Sequence, residues 1–169
     1  MKKTVLTYGF ISGAIAVALM LAHLSFFDSL HGSKGLIVGY TGIILSSLLV
    51  FFGVRSYREN VGGGKISFGR GLAVGVQIAL ISATCYVATW QLIYFKFAPE
   101  FAQKCLAGPI EELKASGAEQ DEINAAQTQL VEFKKLYDKP LMNALITYIE
   151  PFPVGLAMTL ISAAILRRK

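Results

Sequence analysis

Hydrophobic and polar positions separate along this chain into long charge-free runs and short charged connectors. Val5–Leu24, Leu36–Val54 and Gly71–Phe95 contain no Asp, Glu, Lys or Arg. A fourth run, Pro151–Leu166, is equally clean and extends back through Leu141 at the cost of one carboxylate, Glu150. About 20 apolar residues in a helix cross a hydrocarbon core of roughly 30 Å. Lipid satisfies no backbone hydrogen bond, so each run must close its own bonds as an α-helix. The pattern predicts an all-α polytopic membrane protein with transmembrane helices at about 5–27, 36–54, 71–95 and 145–166. All of 1–169 reads as a single membrane domain, with a small helical extracytoplasmic insertion at about 97–141.

Small residues mark the packing faces of these helices. Gly71, Gly75, Ala79 and Ala83 recur every fourth residue down the third run. Gly9 and Gly13 do the same in the first, and Gly155, Thr159 and Ala163 in the fourth. Such spacing lets backbones approach closely, and packing rather than hydrophobicity drives helix association in lipid. Packing within one bundle is the first expectation, homodimerisation through one such face the second.

The connectors carry their own signals. Between the second and third runs, Gly62-Gly63-Gly64-Lys65 invites a phosphate-loop reading. That reading fails, because a Walker loop needs Gly at 59 and Ser or Thr at 66, and the chain has Glu59 and Ile66. A tight turn followed by Ser67 as N-cap of the third helix accounts for the glycines. In the insertion, Pro109 opens a short helix over 110–115, and Ser116-Gly-Ala-Glu119 has the spacing of a capping box. Ile123, Ala126, Leu130, Phe133 and Tyr137 then keep a helical apolar stripe, with charges on the opposite face.

Composition agrees, with 54% hydrophobic and only 16% charged residues. The first run is too long for a secretory signal and lacks an A-x-A site, so it reads as a retained anchor. The net charge of +5 conceals an asymmetry. Lys2, Lys3, Arg55, Arg58, Lys65, Arg70, Arg167, Arg168 and Lys169 all fall on one side if the runs alternate. The 96–143 segment carries six lysines against eight acids. Basic flanks stay cytoplasmic, which places both termini and the 55–70 loop on the inside. Arg55, Arg58, Lys65 and Arg70 then suit anionic headgroups of the inner leaflet. With basic residues split among three chain segments and little aromatic interleaving, nucleic acid is excluded as a partner.

Cys85 and Cys105 lack the spacing of a zinc site, so no metal and no cofactor is expected. Cys85 reads as a small packing residue and Cys105 as a free thiol outside the membrane. No Ser-His-Asp order, HExxH or paired-acid motif falls in a plausible place, and Asp28 with His31 on a short outer turn does not make an active site. The sharpest chemical candidate comes from depth. At ~1.5 Å per residue, His23 lies ~27 Å from Val5, Gln91 ~28 Å from Leu72 and Glu150 ~24 Å from Leu166. All three fall at similar height near the outer edge of the core, where polar side chains find each other or water. Pro151 and Pro153 remove the hydrogen bonds to the carbonyls of Thr147 and Ile149, so a helix break belongs beside Glu150.

Two stretches carry a family likeness. Tyr57-Arg-Glu-Asn60, Gly63-Gly-Lys-Ile-Ser-Phe-Gly69 and Gly75 form one, leading into a span that ends near Tyr86 and Trp90. Glu150-Pro-Phe-Pro-Val-Gly155, Leu160-Ile-Ser-Ala and a basic tail form the other. Together they resemble a bacterial family of small four-span membrane proteins catalogued as a domain of unknown function ("four-one-nine-nine"). The likeness covers essentially the whole chain. It implies a four-helix topology and a cytoplasmic-membrane location, and no activity.

Two function classes follow. The first is a non-enzymatic membrane scaffold or accessory component that meets a membrane-protein partner. The second is a small transporter or ion-coupled module that works as a homo-oligomer and uses Glu150, His23 and Gln91.

Overall fold

The protein, described by a computed structural model over residues 1–25, 33–97 and 110–168, is helical wherever an element forms. Helix α1 spans Lys2–Ser25, α2 Ser33–Asn60 and α3 Phe68–Leu92, the last continuing through a π-helical turn at Ile93–Phe97. A short helix α4 covers 110–115, followed by α5 (Gln120–Tyr137), α6 (Pro140–Tyr148) and α7 (Pro151–Leu166). Four helical stretches are long and apolar enough to cross a membrane: Lys2–Leu24, Ile37–Asn60, Phe68–Phe97 and Pro140–Leu166.

The spans depart from the expected limits where charge and proline were given too much weight. Helix α2 runs six residues past Val54, so Arg55 and Arg58 sit on its last turns rather than in a loop. The fourth span starts at Pro140, not near 145. It is interrupted at Ile149 and Glu150, ahead of Pro151 and Pro153, so α6 and α7 form one broken span. Across the break the chain tightens, with Ile149 N–H donating to Ile146 O at 3.0 Å and Glu150 N–H to Thr147 O at 3.3 Å.

Four helices form the bundle. Helix α3 packs on α1 and α7, α2 packs on the same two, and α2 also touches α3 across the centre. Packing is closest where side chains are smallest. A Cβ built on Gly71 would stand 3.3 Å from Ala163, and one on Gly155 2.9 Å from Ala79. The stripes of α3 and α7 thus interlock antiparallel within one chain. Gly9 and Gly13 of α1 pack as closely against Ile81 and Cys85 of α3, at 2.8 and 2.7 Å, with these two helices parallel. Large side chains such as Phe10, Ile44, Phe52 and Ile165 point outward instead, as a lipid solvent permits.

The end carrying both chain termini holds the apolar core: Val5, Val50, Val54, Tyr57, Ile66, Val74, Ile78, Ala79 and Leu166. The turn there uses Gly63 and Gly64 at φ 60° and 84°, which a side chain would resist. Ser67 caps α3 by accepting from Arg70 N–H at 3.3 Å. Ile66 and Arg168 form an antiparallel bridge, N–H to O at 3.1 and 2.9 Å, which ties the 61–67 turn to the basic tail.

One helix signal is corrected. Ser116 does not cap α5; its hydroxyl bonds back to Leu113 O at 2.8 Å, and Glu119 stands at the N-cap without a side-chain bond. Gly117, at φ 77°, instead ends α4: its N–H reaches Lys114 O, and Ala118 N–H reaches Leu113 O. That is a glycine-terminated helix end, so Ser-Gly-Ala is a stop signal rather than a start. Asp28, His31, Cys105 and Pro109 lie outside the described residues.

Candidate functional site

The polar residues predicted at one height are placed by three different helices, and helix geometry decides which of them meet. Gln91, near the end of α3, donates from Nε2 to Asn143 Oδ1 at 2.9 Å and to Pro140 O at 3.0 Å. Glu150, at the α6–α7 break, accepts from the Tyr86 hydroxyl at 3.4 Å. Tyr86 and Gln91 are five residues apart on α3, so at ~100° per residue they point ~140° apart. Gln91 and Glu150 therefore engage different partners rather than each other. His23 is half-buried in the last turn of α1, a helix that packs mainly on α2 and α3.

Around Gln91 the structure builds a junction of α3, α5 and α6 that hydropathy did not reveal. Trp90 Nε1 donates to the Tyr137 hydroxyl at 2.8 Å, and that hydroxyl lies 3.1 Å from Thr147 Oγ1. The Tyr94 hydroxyl donates to Asp138 Oδ1 at 2.6 Å, while Lys134 Nζ donates to Oδ2 at 2.7 Å. Tyr94 and Tyr137 meet edge to face, their rings 5.2 Å apart, and Phe133 stacks on Tyr137 at 5.4 Å. The Lys134 ammonium, aided by the Tyr94 hydroxyl, holds the Asp138 carboxyl below the usual carboxylate range. Asn143 is fully buried, and its Nδ2 has no hydrogen-bond partner. Asn143 and Thr147, one turn apart, give α6 its buried polar face.

Deeper in the bundle a second polar group appears. The Ser12 hydroxyl donates to Ser46 O at 2.8 Å and lies 2.9 Å from the Ser82 hydroxyl, joining α1, α2 and α3. Ser12, Ser46 and Ser47 are buried inside charge-free runs. Serines there signal interhelical hydrogen bonding, yet nothing in one chain's pattern says which helix answers.

Of the basic residues, Arg55 Nε and Arg58 Nη2 both pair with Glu59, at 2.9 and 3.2 Å. Lys65 and Arg70 are exposed at the same end, on the turn and the first residues of α3. Among the described residues no group of three or more His, Cys, Asp or Glu could hold a metal ion.

Chemically, the far end is a hydrogen-bonded clasp, while Ser12, Ser46 and Ser47 are buried in the bundle and Glu150 is exposed beside Tyr86. No match is found among the curated proteins or the solved structures. The family model of a protein of unknown function (DUF4199) does match, over residues 7–168. With the family model covering the chain from the first turns of α1 to the basic tail, a chain with four membrane-length helices, the protein belongs to DUF4199.

Proposed function

We propose that the protein is a non-enzymatic scaffold or accessory component of the bacterial cytoplasmic membrane, with both termini inside. The single observation that carries this reading is the clasp of α3 onto α5 and α6. Trp90–Tyr137 and Tyr94–Asp138 hold the C-terminal end of the amphipathic helix α5, and Gln91–Asn143 holds α6 next to it. Val131 and Leu136 of that helix remain exposed, at 55% and 41%. A helix anchored at its C-terminal end that still exposes Val131 and Leu136, on different sides of its axis, suits a membrane-protein partner, since less of it must be ordered on binding. At the opposite end Lys65 and Arg70 face the level of anionic headgroups, which would hold the bundle in register with the inner leaflet.

Purification in mild detergent tests the reading. The expected result is a polypeptide partner in fixed proportion, lost when Val131→Ser and Leu136→Ser are combined. A chain that purifies alone, or only with copies of itself and regardless of those substitutions, overturns it in favour of the homo-oligomeric transporter or ion-coupled module. Glu150, His23 and Gln91 support that second reading less well, because Gln91 and Glu150 engage separate partners.

A further inference from the structure

One amide sits on the outside of the bundle at membrane depth. Gln77 lies ~10 Å along α3 from Arg70, well inside a hydrocarbon core of ~30 Å. At ~100° per residue, Ala73, Gln77, Leu80 and Thr84 share an arc of ~60° on that helix. Ala73, Leu80 and Thr84 are exposed, and Gln77 is half-buried among them. Helix α3 meets α1 through Ile81 and Cys85, and α7 through Gly71, Gly75 and Ala79. The Gln77 arc is turned away from both, and α6 borders it only at the far end, where Tyr148 meets the Thr84 hydroxyl.

That amide is only partly satisfied. A glutamine side chain carries two N–H donors and a carbonyl oxygen with two lone pairs. Gln77 donates one N–H from Nε2 to Ala73 O of its own helix at 2.8 Å, its one side-chain hydrogen bond among the described residues. The second N–H and the whole carbonyl face hydrocarbon, which neither donates nor accepts, at a cost in free energy. Polar side chains at such depth turn to the bundle interior or bond across helices. Gln77 does not turn inward, so its remaining groups call for a helix from outside the chain.

A second copy of the chain supplies that helix with complementary charge. The carboxamide is its own complement, because the partial positive charge of its N–H matches the partial negative charge of an identical carbonyl. Two copies in one membrane are related by a two-fold axis along the bilayer normal, so equal residues stand at equal depth. Gln77 near that axis meets its own counterpart, N–H to carbonyl in both directions. Ala73, one turn away, adds little bulk and lets the two α3 helices approach. The glycine stripes do not compete for this role, since Gly9, Gly13, Gly71, Gly75 and Gly155 are all used inside the chain. Arg70 falls on the same side of α3, but at the level of anionic headgroups, which screen one copy from the other.

We propose that the protein forms a two-fold dimer through the Ala73–Thr84 face of α3, with the Gln77 side chains of the two copies hydrogen-bonded to each other. The dimer goes beyond the partner surface on α5 and holds whether or not α5 meets a partner.

The test is self-association of the full chain. Light scattering in mild detergent should give two copies per particle. In liposomes, energy transfer between labels at the C-terminus should fall on dilution with lipid, and Gln77→Leu should raise the dissociation constant about tenfold. Should Gln77→Leu not fold, oxidative cross-linking in native membranes reads the same contact. Combined with Cys105→Ser, Ala73→Cys should give a dimer band, and Ile44→Cys on the outward face of α2 should not. Val131→Ser with Leu136→Ser should leave the dimer intact, so failure of this interface can be told from failure of the α5 surface. One copy per particle at every concentration overturns the proposal, as does a dimer that Gln77→Leu leaves unchanged or cross-linking at Ile44 in place of Ala73. A different polypeptide that is lost with Gln77→Leu assigns the face to a foreign helix and overturns it too.

Discussion

Gly75 of α3 lies against Thr159 of α7 so closely that a Cβ built on it would stand 2.5 Å from Thr159 Cγ2 and 2.9 Å from its Oγ1. Thr159 is completely buried, and its hydroxyl is tied to Gly155 O at 2.8 Å, so it has nowhere to retreat. Gly75→Ala should therefore destabilise by about 1–3 kcal/mol, the cost of overpacking, although alanine favours the helix by up to ~1 kcal/mol. Thr159→Ala in the same chain should restore part of the loss, with a coupling of roughly 0.5–3 kcal/mol. Unfolding midpoints of the four proteins in detergent measure it. Additive effects would show that α3 and α7 do not meet at this contact.

Gln91 and Asn143 should respond unequally to the same kind of change. Gln91→Leu leaves fully buried Asn143 without the partner of its Oδ1, in addition to its unpartnered Nδ2. A loss of about 1–3 kcal/mol is expected. Asn143→Leu removes that unpartnered amide altogether, while Gln91 keeps Pro140 O. It should cost less, and the double variant should fall short of the sum. A larger loss for Asn143→Leu, by thermal or denaturant unfolding, would contradict the pairing.

Acid should loosen the clasp at Asp138. Its folded-state pKa is depressed by Lys134 first and Tyr94 second. The stabilisation is thus complete above the unfolded value of about 3.9 and is lost as pH falls through the lower folded value. The carboxyl is 45% exposed, so solvent screening keeps the effect below ~1 kcal/mol. Melting curves between about pH 2.5 and 5 should show a low-pH limb that Asp138→Asn flattens and Tyr94→Phe makes shallower. An unchanged limb in Asp138→Asn would assign the acid sensitivity elsewhere.

Orientation can be read from the two thiols. With both termini inside, Cys105 belongs to the outer side, and a membrane-impermeant maleimide should label it in spheroplasts. Cys85 should stay silent, because its Sγ would lie 2.9 Å from a Cβ on Gly13 in the α1–α3 contact. Labelling that appears only after lysis would reverse the topology.

The four spans were legible in the sequence because hydropathy is a local property. A run without Asp, Glu, Lys or Arg must be helical in lipid whatever surrounds it. The same holds for the glycine turn at 62–64, the cap at Ser67 and the break at Pro151, each governed by a few neighbouring residues. Small-residue stripes were visible too, but not their pairing. That Gly71 and Gly75 meet Ala163 and Thr159, while Gly9 and Gly13 meet Ile81 and Cys85, depends on which helices are adjacent and on their register. Equal depth suggested that Glu150, His23 and Gln91 share a site. Depth fixes only one of the three coordinates of a side chain, and the azimuth around α3 turns Gln91 to Asn143 and Tyr86 to Glu150. The Ile66–Arg168 bridge and the Ser12–Ser82 contact were out of reach for the same reason: they join residues 102 and 70 positions apart. Local chain chemistry determined what crosses the membrane, and only the packed bundle decided which polar groups face one another inside it.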